Sequence, residues 1–453
     1  MSEKLALEGG APSVPEELIA HDWERYRKAT DEEVETVAAV LRSGHLSIAL
    51  PIGMPQSDAL GAEFAAWVGV RHGLVVNSGT AALHCAVAGV GVEAGDEVIV
   101  PADTFIASAM AVLHHNAIPV FVDVDPDTAL IDPALIEAKI TPHTRAIMVV
   151  HLHGLPADMD PIRTIARRYN LKLIEDSAQT YGGLYKGKKT GALGDAAGFA
   201  MTTTKQLMTG EGGLLTTDSD EVYERASMTR LFGEAGSSMT AAKRAYMSER
   251  IGWNYKLPET VAALGRLRLK SVQGYVDGCR RNAAYLAQKL EAIPGIKTPL
   301  VPTDRTHTYY HFSLQVEAAV LGLDIEAGRL RNAVMKALAA ENLDVMQWQS
   351  VPVPAQPLFQ NRLAYGKGSP WNTHAGEVSY DIEDYPNAFA VLERSFVVRR
   401  LVPPNGFEAM DCYAGAIQKV YSQIERVVEL YDQTDDYVPL EARKAGLAGN
   451  SGA

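Results

Sequence analysis

The chain has 453 residues, 47% of them hydrophobic, 21% charged and 7% aromatic, a composition that excludes disordered, collagenous and coiled-coil architectures. Its 42 basic against 55 acidic side chains give a formal net charge of -13 and offer no polycationic surface to nucleic acid. Cys85, Cys279 and Cys412 lack paired spacing, and no run is long and apolar enough to span a bilayer. A cytoplasmic protein without disulfides, thiolate zinc or a membrane partner is expected.

Single cores stop growing near about 250 to 300 residues, so two packed domains are expected. From Gly73 to Asp176, short apolar runs (Gly73–Val76, Glu97–Val100, Pro119–Asp123, Ala146–Val150, Leu171–Ile174) alternate with segments of helical length (Thr80–Ala88, Thr104–His115, Pro133–Ile140, Asp158–Tyr169). That alternation predicts an α/β domain with a mainly parallel sheet covered on both faces. Two further strands, one before Lys205 and one at Gly213–Thr217, bring the sheet to seven. Between them Gly182–Lys189 nearly spells a P-loop, but Lys189 stands at the hydroxyl position, and the segment reads as a hairpin tip.

After a polar stretch, Phe232–Arg250, a helix over Glu259–Leu290 leads to a smaller α+β unit. Its expected strands are Tyr309–Val316 and Ser395–Arg399, and its helices Ile325–Glu341 and Ala414–Leu430. The proline-rich region Val351–Tyr385 reads as a long loop. The expected division is a large domain over 1–285, a small one over 286–440 and a flexible Gly-, Ala- and Ser-rich tail over 441–453.

Asp176 ends the fifth strand, at the sheet edge where ligands of open parallel sheets bind. Alone it reads first as a helix or turn cap, with the counter-charge to a ligand cation as the second reading. Lys205 weights the second reading, because it lies among Thr202, Thr203 and Thr204 before the Gly210–Gly213 turn, where a desolvated amine could serve Schiff-base chemistry. Asn77-Ser78-Gly79-Thr80, joining a strand to a helix, has the small residues that let an oxyanion approach free backbone N–H groups. Phe105, after another strand's carboxyl end, is a core aromatic or a stacking face for a planar ligand. His151 and His153 lack a third placed ligand, so no metal is expected.

Asn77–Leu83, Gly95–Pro101 with Thr104–Ser108, His151–Gly154, Glu175–Gln179, Lys205 with Gly210–Gly213, and Gly252–Lys256 fall in an order that resembles the DegT/StrS-type sugar aminotransferases. The resemblance implies fold type I of pyridoxal-phosphate enzymes and a homodimer with shared active sites. It implies transfer of an amino group from glutamate or glutamine to a keto sugar or ketocyclitol. By the same resemblance Lys205 carries pyridoxal 5'-phosphate, Asp176 pairs with the ring nitrogen, and Gln179 and Phe105 lie against the ring. Ser78, Gly79, Thr80 and Thr202 hold the phosphate, with Asn254 reaching it from the other subunit. A serine usual five residues before the lysine is Ala200 here, so Thr202 or Thr204 is expected to replace its hydroxyl, and His153 stands where tyrosine is common. Arg230, Arg399 and Arg400 are candidate anion contacts for the acceptor. The alternatives are a sugar dehydratase on the same fold and a non-catalytic regulator; the lysine itself favours transamination.

Overall fold

The computed structural model describes residues 3–18, 28–47, 56–234, 247–433 and 437–449. Helices α1 (Asp31–Ser43) and α2 (Gln56–Val68) precede the first strand. α1 starts with a capping box, in which Thr30 Oγ1 accepts from Glu33 N–H and the Glu33 carboxylate accepts from Thr30 N–H. There follow β1 (His72–Val76), α3 (Gly79–Gly89), β2 (Glu97–Pro101), α4 (Ala107–His114), β3 (Ile118–Val122), α5 (Pro133–Ile136), β4 (Thr144–Val150), α6 (Met159–Tyr169) and β5 (Lys172–Asp176). A hairpin of β6 (Leu184–Tyr185) and β7 (Lys188–Lys189) turns at Lys186 and Gly187, both at positive φ, as the sequence reading of a hairpin tip requires. β8 (Ala196–Ala200) and β9 (Gly213–Thr217) complete a seven-stranded sheet of order β1-β9-β8-β5-β4-β2-β3.

Only β9 runs against its neighbours in this sheet. The link from β8 to β9 contains no crossover helix, so the chain returns antiparallel. β2 and β3 are buried at every position, with helices on both faces, which explains why they read as unbroken apolar runs. The carboxyl ends of β1, β2, β5 and β8 therefore open on one edge.

α7 (Asp220–Arg230) and the 32-residue α8 (Glu259–Leu290) lead to the second unit: β10 (Ile296–Lys297), β11 (Phe312–Val316), α9 (Ala327–Ala340), β12 (Val345–Met346), α10 (Pro357–Gln360), α11 (Pro386–Arg394), β13 (Ser395–Val398), α12 (Phe407–Tyr421), α13 (Ile424–Asp432) and α14 (Leu440–Gly449). Its four strands form an antiparallel sheet, β10-β11-β13-β12, over a second apolar core that includes Leu5 and Val14 from the start of the chain.

Several expectations need correction. α4 starts at Ala107 rather than Thr104, leaving Thr104 and Phe105 in a turn. β11 starts at Phe312 because Tyr309 takes a left-handed φ of 51° that no strand accommodates. The segment Ala414–Leu430 is not one helix; it breaks at Ser422 and Gln423. Val351–Tyr385 carries short helical turns pinned to the large sheet, with Tyr380 OH donating to the Pro119 carbonyl at 2.9 Å. The tail expected to be flexible is helical over Leu440–Gly449, with Leu440 and Leu447 packed on Ala355, Ile382 and Phe389; positions 450–453 lie outside the described residues, as do 235–246 of the polar stretch. No helix among the described residues is long and apolar enough to cross a membrane.

Candidate active site

The shared sheet edge and the small unit enclose a cleft of about 1520 Å³. Of the residues singled out from sequence, Ser78, Gly79, Thr80, Phe105, Asp176, Gln179, Thr202 and Lys205 line it; Asn254 does not. Asn254 is exposed outside its own chain's cleft, its carbonyl accepting from Asn77 Nδ2 at 3.4 Å and its side chain from Lys256 Nζ.

Ser78 caps α3: its backbone is extended (φ −162°, ψ 161°) and its Oγ accepts from Ala81 N–H at 3.0 Å. The N–H groups of Gly79 and Thr80 in the first turn have no carbonyl four residues back to bond, so they are left for an anion. Close packing fixes this turn. A Cβ on Gly79 would come 2.5 Å from Ala200 Cβ, and one on Gly213 would come 2.2 Å from the Ser78 carbonyl oxygen.

The β5 pleat sends neighbouring carboxylates to opposite faces. Glu175 turns inward, bonds His151 Nε2 at 2.9 Å and accepts from the N–H groups of Gly191, Leu193 and Gly194. This clamp accounts for His151, and no group of His, Cys, Asp and Glu among the described residues is arranged to hold a metal. Asp176 turns toward the cleft, where Ser108 Oγ donates to its Oδ2 at 2.7 Å and Ala178 N–H to its Oδ1 at 3.1 Å. It is only 5% exposed, and burial pushes its carboxyl up; Ser108, Ala178 and the charge of Lys205 oppose that shift without cancelling it. Such a carboxylate is satisfied fully only by a cation in the cleft.

Lys205 stands in the turn after β8, its N–H donating to the Thr202 carbonyl at 3.0 Å and its Nζ 4.1 Å from the centre of the Tyr310 ring. Tyr310 OH lies 3.3 Å from Thr204 Oγ1, which is 3.3 Å from Thr202 Oγ1, so both hydroxyls expected to replace the missing serine belong to one chain of contacts. Gln179 Oε1 accepts from His153 N–H at 2.7 Å, which leaves its amide nitrogen as the donor for the cleft. Phe105 is 54% exposed, the reverse of a core aromatic, with its ring centre 6.5 Å from that of Trp348.

Arg399 and Arg400 line the cleft and share Asp344, at 3.4 and 2.7 Å, so one of their two charges is neutralised. Arg230 does not take part; it is buried behind β1 with Nη1 donating to the Val75 carbonyl at 3.4 Å. Sequence reasoning missed Ser108, Tyr310, His311 and Trp348. Ser108 was findable as a polar residue one helical turn beyond Thr104 on an otherwise apolar helix, and the two hydroxyls meet at 2.9 Å. Nothing local marks the other three.

The family model described as the DegT/DnrJ/EryC1/StrS aminotransferase family matches residues 27–378. The chain belongs to that family. It is 36% identical to the GDP-perosamine synthase of Caulobacter vibrioides over 71% of this chain and 85% of that protein. It is also 36% identical to the L-glutamine:2-deoxy-scyllo-inosose aminotransferase of Streptomyces paromomycinus, over 80% and 84%. Among solved structures it resembles an aminotransferase from Psychrobacter cryohalolentis (TM-score 0.77, 28% identity, 88% of this chain and 99% of that one). It superposes equally on 3-amino-5-hydroxybenzoic acid synthase (TM-score 0.77, 27% identity, 92% and 100%). The seven-stranded sheet is the platform for the cleft.

Proposed function

We propose that this family member transfers an amino group from glutamate or glutamine to a keto sugar or ketocyclitol with pyridoxal 5'-phosphate as cofactor. The observation that carries the reading is a buried carboxylate, Asp176, in the same cleft as a lysine, Lys205, that has no carboxylate partner among the described ion pairs. The donor set fits the cofactor: a carboxylate that needs a cation meets a pyridinium, free N–H groups at Gly79 and Thr80 meet a phosphate, and the open Phe105 face meets a planar ring. When bound, the cofactor supplies an electron sink for the pair left behind when a proton leaves the donor's Cα.

Asp176 would keep the ring nitrogen of a bound cofactor protonated, and the bonds from Ser108 and Ala178 favour its ionised form. Lys205 Nζ would hold the cofactor, and its free amine would move the proton between the donor's Cα and the carbon next to the ring. Ser78, Gly79, Thr80 and Thr202 would hold the phosphate, and the Gln179 amide nitrogen would donate to the ring's oxygen. The exposed side chain of Asn254 fits a contact with the phosphate of a second copy, in a homodimer with shared sites. Three free cysteines support a cytoplasmic setting.

The purified protein should show the absorbance band of lysine-bound cofactor, borohydride should fix its mass on Lys205, and L-glutamine or L-glutamate alone should bleach the band. A protein that gains no band on reconstitution excludes the enzyme. Dehydration of a keto sugar with no bleaching by either amino acid selects the dehydratase. Asn254→Ala should weaken cofactor retention in a protein that remains dimeric; unchanged retention removes that residue from the site.

A further inference from the structure

His153 and His311 form a pair that transamination itself does not use. Their Nδ1 atoms lie 3.1 Å apart, and His311 N–H donates to the His153 carbonyl at 3.0 Å. The loop after β4 is thereby tied to the residues before β11. The two rings pack against Trp348, with centres 5.6 and 4.6 Å away, and His311 lines the cleft next to Tyr310, the residue against Lys205.

A single proton fits between two Nδ1 atoms at that distance. Burial pushes His153 down to about 4 and His311 well below its ordinary value, with His153 and Lys205 adding to the shift at His311. Both imidazoles are therefore neutral. The ring that accepts at Nδ1 carries its own proton on Nε2, and the ring that donates at Nδ1 has a lone pair on Nε2. Exchanging these roles while both rings stay neutral takes two proton shifts, one between the Nδ1 atoms and one from the Nε2 of one ring to that of the other through a bound hydroxyl or water. A hydroxyl suits His311 Nε2 in either state because it both donates and accepts. A carboxylate or phosphate does not, since a neutral imidazole offers it no charge and in one state no proton.

We infer that the His153–His311 pair is the hydroxyl-recognising element of the acceptor subsite, with His311 Nε2 hydrogen-bonded to a ring hydroxyl of a polyhydroxylated ketone and Trp348 packed beside it. This rests on the aminotransferase reading, which the donor half-reaction tests separately. It makes His311 a specificity-determining residue and His153 the residue that sets its tautomer.

The experiment uses cofactor-loaded protein, bleached by the amino donor and then challenged with scyllo-inosose, 2-deoxy-scyllo-inosose and a nucleotide-linked 4-keto-6-deoxy sugar. At least one should restore the band. For that ketone His311→Phe should raise KM by about tenfold or more, and His311→Gln, whose amide reaches the Nε2 position, should recover part of the loss. Proton NMR supplies a readout independent of turnover: a downfield resonance of the shared Nδ1 proton, absent in His311→Phe and displaced by the accepted ketone. A structural role would instead slow donor and acceptor half-reactions together with no rescue by Gln, which overturns the inference. So does a donor that bleaches the band while none of the three ketones restores it, or a resonance that the accepted ketone leaves unmoved.

Discussion

Asp103 lies at the far end of the loop that presents Phe105, is fully buried, and has no hydrogen-bond partner on either carboxylate oxygen. Burial, aided by the charge of Asp123, pushes its carboxyl up from 3.8 to about 7. A carboxyl raised on folding holds its proton more tightly in the folded state, so stability is unaffected below about pH 4 and declines as pH rises to about 7, beyond which the whole penalty applies. Asp103→Asn, uncharged at every pH, should abolish that slope and gain on the order of a few kcal/mol at pH 8 with little change at pH 4, read by urea denaturation at the two pH values. Equal effects at both would show that Asp103 is not held neutral by its surroundings. At Asp176 a single hydroxyl acts in the opposite direction. Ser108→Ala removes a bond made to the ionised form, so the acid limb of donor conversion should move to higher pH and cofactor retention fall about tenfold, measured by stopped-flow absorbance across pH and by dialysis.

Elements whose own residues carry the signal were legible: the strands β1 to β5 as apolar runs, the α3 turn as Asn-Ser-Gly-Thr, and the hairpin of β6 and β7 as a Lys-Gly tip. Elements decided by distant packing were not. The apolar repeat from Ala414 to Leu430 carries across the break at Gln423 because both α12 and α13 bury their stripe in the same small-domain core. α14 is built mostly of good helix formers, which a reading weighted on its Gly and Ala content passes over; at ten residues it is too short to hold by itself, and the patch it covers lies far away in sequence. The site divides in the same way. Asp176, Lys205 and the Ser78–Thr80 turn declare their chemistry by type and position, whereas His311 and Trp348 gain theirs only when the small unit closes over the sheet edge. The α3 turn permits a test. Gly79→Ala is compatible with the helical backbone, but its methyl meets Ala200, so the turn must retreat from β8, and cofactor affinity should fall about tenfold while the fold survives. The control is Gly415→Ala in α12, where nothing lies within 4 Å; it should stabilise by about 0.5–1 kcal/mol and leave cofactor affinity alone. Equal loss of affinity in the two variants would refute the packing argument.

At the scale of the whole molecule, the start of the chain fastens the small unit before it contributes to the large one. Leu5 and Val14 are buried in the small-domain core, and the carboxylate of Glu341, at the end of α9, gathers the strap between them. It accepts from Ala6 N–H at 2.8 Å, Ser13 N–H at 2.9 Å and Ser13 Oγ at 2.8 Å, and pairs with Lys419 Nζ at 2.9 Å, which also donates to the Ala11 carbonyl. Burial alone would raise Glu341, but these bonds outweigh it and hold the carboxyl below its usual range. Farther along, Glu33 of α1 meets Arg268 of α8 at 3.1 Å, so the segment beginning at the strap ends on the helix that joins the two units. Glu341→Ala strands a buried ammonium, two N–H groups and a hydroxyl at once and should cost about 3–5 kcal/mol, whereas adding Lys419→Ala should return part of that loss, because the uncompensated charge is gone. Urea denaturation of the four proteins in the cycle measures both effects. If the double variant is as unstable as the sum of the single ones, Glu341 holds the strap through Ala6 and Ser13 and not through Lys419; if the coupling appears, the ion pair helps fasten the chain's start to the small unit.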